Sequence, residues 1–167
     1  YAVVAPFRVK LEKALSGRMT GDFAVEAAGA NTRITAKGRA SHACLPQESD
    51  SAMVKLARLL GEVDLLDAKS RAACRFLADS FEDYYGSGFN IDFRDDTGRL
   101  TICGGMINIT NGILTERIDI RYPVTTKSEV LARNIDARCK EGGFKMEILY
   151  DDPPFSWPKD SPVIRML

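Results

Sequence analysis

The chain has 167 residues, of which 45% are hydrophobic and 28% charged, and its 23 Lys and Arg are balanced by 23 Asp and Glu for a formal net charge of zero. That length suits one soluble, globular domain able to bury a core. The charge balance excludes the global basic footprint of a nucleic-acid-binding protein, and no apolar run is long enough to span a bilayer, which excludes a helical membrane protein.

The opening residues Tyr1-Ala2-Val3-Val4-Ala5-Pro6 lack an initiating Met, a basic leader and a signal-type apolar core, so they read as the inside of a longer protein. Pro6 predicts a helix start, and Phe7, Leu11, Ala14 and Leu15 recur at helical spacing before Gly17 closes the run. Two alternating stretches, Asp22 to Ala28 and Thr32 to Arg39, flank the turn residues Gly29-Ala30-Asn31 and predict a hairpin. The hairpin delivers His42, the single histidine, to a loop in which Pro46 holds Leu45 extended and Ser51 is placed to cap the next helix. Met53, Leu56, Leu59 and Leu60 mark the core face of that helix, with its end expected at Gly61.

Residues 67–85 carry Ala72, Phe76, Leu77, Phe81 and Tyr84 at helical spacing, an aromatic stripe best explained as packing, until Gly86-Ser87-Gly88 breaks the pattern. Asp95-Asp96-Thr97-Gly98 predicts a turn. A strand from Arg99 to Ile109 follows, and a second from Ile113 to Val124 is reached across Asn111-Gly112, the strongest short hairpin signal in the chain. Period-2 alternation puts Arg117, Asp119 and Arg121 on one face and Ile118, Ile120 and Tyr122 on the core face. Thr126-Lys127-Ser128-Glu129 has the form of a capping box before a helix striped by Leu131, Ile135 and Cys139. After Gly142-Gly143, alternation of Phe144, Met146, Ile148 and Tyr150 predicts a last strand, ended by Asp152-Pro153-Pro154. Ser161 to Leu167 stop in what reads as the first turn of another helix, so both ends suggest an excised segment.

Each half thus combines a hairpin with at least one helix. The expected fold is α+β, a ferredoxin-like antiparallel sheet with helices on one face, in two related α/β halves of roughly 1–66 and 86–157 joined by a helical connection over 67–85. No repeat at the level of residues accompanies it. Cys44, Cys74, Cys103 and Cys139 are widely scattered with no Cys-x-x-Cys pair, which argues against a disulfide framework and a structural zinc site and makes reduced thiols in a cytoplasmic protein the default. With a single His, a zinc site would have to be built largely from carboxylates, so no metal bound by this chain alone is expected.

Two residues are candidates for chemistry. His42 stands at a strand exit, where an imidazole can donate to a carbonyl oxygen or exchange a proton near neutral pH; a structurally idle, partly exposed histidine is the alternative. Arg121, with Pro123 stopping the ladder just beyond it, can present a planar fork to a carboxylate; the alternative is a surface arginine paired with Asp119 or Glu116.

The run Gly38-Arg39-Ala40-Ser41-His42-Ala43-Cys44-Leu45-Pro46, followed by Ser49-Asp50-Ser51-Ala52, resembles a segment of the zinc aminoacylase and carboxypeptidase clan of metallopeptidases. There a strand ending Gly-Lys/Arg-Ala-Ala/Ser-His leads to a proline and then to Gly-Xaa-Asn-Ala opening a helix; here Ser49 replaces the glycine and Ser51 the asparagine. Gly98-Arg99-Leu100-Thr101, Gly105 and Ile118-Asp119-Ile120-Arg121-Tyr122-Pro123 resemble the second half of the lid domain of PepV-like dipeptidases in that clan, and Pro158-Lys159-Asp160-Ser161-Pro162-Val163 its return toward the catalytic domain. Cys103 departs from the polar residue common at its position.

The resemblance implies a substrate-capping, dimerisation-type lid, inactive alone, that closes over two zinc ions held by a separate catalytic domain of the same polypeptide. By the match of motifs, His42 would stabilise the oxyanion and Arg121 would hold the C-terminal carboxylate of a short peptide, in a parent that is either a monomer or a homodimer. Neither His-x-Asp nor Glu-Glu, from which the clan builds its metal site, occurs here. An asparagine that the family supplies just upstream of the lid's first helix would lie before Tyr1. The alternative reading is a stand-alone ferredoxin-like module for small-molecule binding or oligomerisation. An RNA-binding sheet is disfavoured by zero net charge and by the missing aromatic pattern, and no membrane partner is expected.

Overall fold

The computed structural model describes residues 9–13, 16, 21–29, 31–42, 45–157 and 161–162. Pro6, Phe7, Ala14, Leu15, Gly17, Ala30, Cys44, the stretch 158–160 and Val163, each of which carries a sequence expectation, lie outside the described residues. Residues 9–13 are helical (α1), and Leu11 within them is fully buried.

Strands β1 (Phe23–Ala28) and β2 (Asn31–Ala36) pair antiparallel from Phe23 opposite Ala36 to Ala28 opposite Asn31. Asn31 is therefore a strand residue. The connection is the two-residue kind that requires positive φ, and Gly29 supplies it at +64°. Thr32 and Ile34 are buried while their neighbours in β2 face outward, the alternation of a half-buried strand.

Helix α2 (Ala52–Glu62) starts where expected, with the Ser51 hydroxyl accepting from the Val54 amide at 3.3 Å. It does not stop at Gly61. That glycine is buried inside the helix because α3 (Ala68–Ser80) crosses there: a β-carbon would stand 2.8 Å from Arg75 Cγ, and Arg75 Nε donates to the Gly61 carbonyl at 2.8 Å. Asp67 caps α3 by accepting from the amide and hydroxyl of Ser70. Tyr84 lies beyond the helix, because the Asp83 carboxylate takes the amides of Tyr85, Gly86 and Ser87 and turns the chain.

The second half opens with a short pair, β3 (Arg94–Asp95) and β4 (Gly98–Arg99), and a long one, β5 (Thr101–Thr110) and β6 (Ile113–Arg121). Asn111 and Gly112 both take positive φ at the hairpin turn, as the dipeptide predicts. A register shift between Gly104 and Met106 marks a bulge. Strand β6 stops at Arg121, short of Val124, since Pro123 has no amide to donate. Helix α4 (Ser128–Glu141) buries Leu131, Ile135 and Cys139 as their spacing predicts. Its N-cap is Lys127 with no side-chain bond; Thr126 does not cap it, being held in a turn by its amide donating to the Pro123 carbonyl at 3.0 Å.

The core falls into two clusters. One gathers Leu11, Ile34, Leu59, Leu60 and Leu66; the other packs Phe76, Leu77, Phe81, Phe89, Ile91, Leu100, Ile102, Leu131 and Ile135. The class is α+β, as expected. Among the described residues the strands form three separate two-stranded ladders, and the ferredoxin-like sheet of the sequence reading is not joined. The predicted last strand carries no ladder either. Phe144 stacks on Phe76 at 4.7 Å, but Ile148 and Tyr150 are 60% and 79% exposed, so the alternation runs out where no neighbouring strand meets it.

Phe89 is 1% exposed and meets Phe76 and Phe81 edge-on at 6.3 and 5.4 Å. Phe89→Ala is expected to cost about 3–5 kcal/mol in urea unfolding, whereas Ile113→Thr at the exposed hairpin end should stay within about 0.5 kcal/mol.

Candidate functional site

His42 sits in a loop tied shut at its base. Arg39 and Asp50 exchange both backbone hydrogen bonds, at 2.9 and 2.8 Å, and Arg39 Nε donates to the Glu48 carbonyl at 2.6 Å. This close approach depends on Gly38, where a β-carbon would overlap the Asp50 carbonyl oxygen and stand 2.7 Å from the Ala52 nitrogen. Inside the loop, the Leu45 amide donates to the His42 carbonyl at 2.8 Å, the Ser41 hydroxyl to the Leu45 carbonyl at 2.9 Å, and Pro46–Glu48 form a single 3₁₀ turn. Lys55 of α2 pairs with Asp50 at the loop base and with Asp22 at 3.1 Å, and these carboxylates, Asp50 foremost, hold its ammonium above the usual lysine range. His42 itself is exposed on this scaffold.

Arg121 ends β6 opposite Thr101. Its guanidinium grips Asp119 on the same face, Nε to Oδ1 at 3.0 Å and Nη2 to Oδ2 at 3.2 Å, with the two side chains 67% and 49% exposed. The turn just after it is pinned by Asp95, whose Oδ2 accepts from the amide and hydroxyl of Thr125 at 3.0 and 2.8 Å, while the Val124 amide donates to Thr97 Oγ1 at 3.2 Å. The Thr97 hydroxyl and then the Thr125 amide hold the Asp95 carboxyl well below the usual range. Arg121 lines a broad open concavity of about 1670 Å³ walled by β6, α4 and the extended residues 144–155. His42 does not line it.

The two candidates are connected through β5 and Tyr84. The 3₁₀ turn of the His42 loop packs against β5. The Tyr84 hydroxyl donates to the Ser49 carbonyl at 3.0 Å, and the Tyr84 carbonyl accepts from the Ile102 amide at 2.8 Å, one register position from Arg121. Reading Tyr84 as part of a packing stripe missed this, and only its phenolic hydroxyl hinted at it.

Glu116 is the second residue misread from the sequence. The sequence offers it as a surface partner of Arg121, but it shares parity with Ile118 and Ile120 and turns inward. Both carboxylate oxygens are sealed from solvent without a hydrogen-bond partner, beneath Gly104 and beside Met53 and Phe81. Burial pushes its carboxyl up to about 7. Cys74, Cys103 and Cys139 are free thiols, each held by burial above the usual range. Among the described residues no group of three or more His, Cys, Asp or Glu is placed to hold a metal ion, and no helix is long and apolar enough to cross a membrane.

No family model matches the chain. It is 29% identical over 153 residues to the protein named putative dipeptidase YtjP of Bacillus subtilis (strain 168), a match that takes in 89% of this chain and 32% of that protein. The chain therefore spans about a third of the length of this relative, as a fragment of a dipeptidase-like protein would.

Since Glu116 releases its proton near pH 7 when folded and near 4.5 when unfolded, the folded state binds more protons between those values, and stability falls as pH rises through that window. Glu116→Gln should flatten the decline and raise stability at pH 8 by roughly 1 kcal/mol. Urea unfolding at pH 5 and pH 8 checks it, and an unchanged slope in the variant would show that the carboxyl is not the group responsible.

Proposed function

We propose that the chain is the substrate-capping lid of a zinc-dependent dipeptidase, in which His42 stabilises the oxyanion and Arg121 binds the C-terminal carboxylate of a short peptide. The observation that carries the reading is the match of nearly the whole chain to a third of a protein named as a putative dipeptidase. Such a fragment has the proportions of one domain in a larger enzyme.

The geometry supports each role in physical terms. His42 is exposed on a loop tied at its base, so its imidazole can meet an approaching reaction centre while its backbone stays in place. A donor arriving from a wall opposite the attacking water interacts with charge only as it develops, which is the condition for lowering a barrier. Arg121 presents a two-pronged fork already bound to one carboxylate. A peptide carboxylate of the same shape can replace Asp119 at small cost, since exposed pairs are worth about 0–1 kcal/mol.

The described residues do not suit a metal, so the two zinc ions of this reading would be held by the catalytic domain elsewhere in the polypeptide. When bound they would supply the attacking hydroxide and polarise the scissile carbonyl. The residues of this chain would orient the substrate and neutralise its ends. The Arg121 to Asp119 pair also fits the second reading, a stand-alone binding module in which that arginine is an ordinary surface residue.

In the longer enzyme, His42→Ala is expected to lower kcat by about 10² to 10³, the loss of one oxyanion donor; an unchanged kcat with full metal loading would end the assignment. Arg121→Lys should impair hydrolysis of free dipeptides more than that of amides lacking the carboxylate, because a point charge does not reproduce the bidentate fork. Equal losses on both substrates would count against it.

A further inference from the structure

We infer that Tyr84 is a positioning residue that sets the distance between His42 and Arg121, and with it the length of peptide the site accepts; this rests on the lid reading. One residue here holds two separate elements. Its side chain grips the His42 loop through the Ser49 carbonyl, and its main chain grips the Arg121 hairpin through the Ile102 amide. Ile102 lies directly across from Ile120, the neighbour of Arg121. On the other side, Ser49 ends the 3₁₀ turn, its amide and hydroxyl both donating to the Pro46 carbonyl at 2.9 and 2.6 Å, and Leu45 before that turn donates to His42.

The tie is rigid at its root. Asp83 accepts three successive amides after Tyr84, and Gly86 takes φ +83°, where a β-carbon would stand 3.0 Å from Ile91 Cδ1 and 3.3 Å from Leu100 Cδ2. The Arg99 guanidinium covers the Tyr85 ring at 3.6 Å and holds Asp92 with two hydrogen bonds, at 2.7 and 2.6 Å, which fastens the turn to β4. A ring with two side-chain torsions then spans the remaining gap to Ser49, so the separation has little freedom to vary. A site that binds one end of a peptide at a guanidinium and the reacting carbonyl at an imidazole selects length by that separation.

Tyr84→Phe removes the grip on the loop and leaves the grip on the hairpin. In the longer enzyme, kcat on a free dipeptide should fall about 10-fold, kcat on its C-terminal amide should fall by less, since that reaction uses His42 without the carboxylate anchor at Arg121, and the preference for a dipeptide over the tripeptide should shrink. Hydrogen exchange should quicken at Leu45 and Ser49 and stay as it was at Ile102. Equal losses on dipeptide and amide, an unaltered length preference, or unaltered exchange at Leu45 and Ser49 would overturn the assignment. His42→Ala and Arg121→Ala are measured alongside. If both impair the dipeptide reaction while Tyr84→Phe does not, the positioning role alone is refuted; if neither impairs it, the lid reading falls and this role falls with it.

Discussion

A missing side chain at Gly38 is the constraint on which the candidate site depends. Because no β-carbon stands there, the backbone after β2 can press against Asp50 and Ala52 closely enough for Arg39 and Asp50 to exchange two hydrogen bonds. That exchange turns a flexible excursion into a closed loop and hands the chain to α2 at Ser51, already capped. Closing a loop of this size costs entropy, which here is offset by the Arg39 side chain on Glu48 and by Lys55 bridging Asp50 and Asp22. The ordering energy is thus concentrated at the base, and His42 is left presented at the outside.

The same device recurs in the second half. At Gly104 the absence of a β-carbon opens space under the β5 bulge, and Glu116, Met53 and Phe81 share it. A carboxyl group with no partner is an expensive occupant of such a space when ionised. It is accommodated by keeping its proton to higher pH than a solvated glutamate. Met53 of α2, Phe81 at the end of α3 and the β5–β6 hairpin meet at this point, and the two unpartnered Glu116 oxygens are buried there.

What could be read in the sequence is what local chemistry decides. Ser51 as a cap, Asn111-Gly112 as a turn and the stripe of Leu131, Ile135 and Cys139 each depend on neighbours within a few residues, and each is found. Gly61 was misread because a glycine near a helix end looks the same whether it stops the helix or makes room for another; only Arg75, fourteen residues on, distinguishes the two. Thr126 had the sequence of a cap, but a turn closed onto Pro123 claims it. The stretch from Phe144 to Tyr150 alternates like a strand, and a strand exists only where a second one meets it. Glu116 follows from the two-residue period, because it shares parity with Ile118 and Ile120 on the core face. The link through Tyr84 spans 35 residues to Ser49 and follows from no local pattern.

The Arg121 to Asp119 pair makes the chemistry of the candidate site depend on its surroundings. In the chain as described the pair is largely exposed, and in that high-dielectric setting a competing carboxylate gains little over Asp119 and loses little by leaving. Selection of a peptide's terminal carboxylate therefore requires a second wall that excludes water. Under such a wall the guanidinium strengthens its hold on whichever carboxylate fits the fork, while Asp119 comes to repel a second anion nearby unless it turns toward solvent. An exposed arginine paired in this way is a weak binding site by itself, and covering it would make its choice of carboxylate depend on the fit to the fork and on the cost of desolvating the pair.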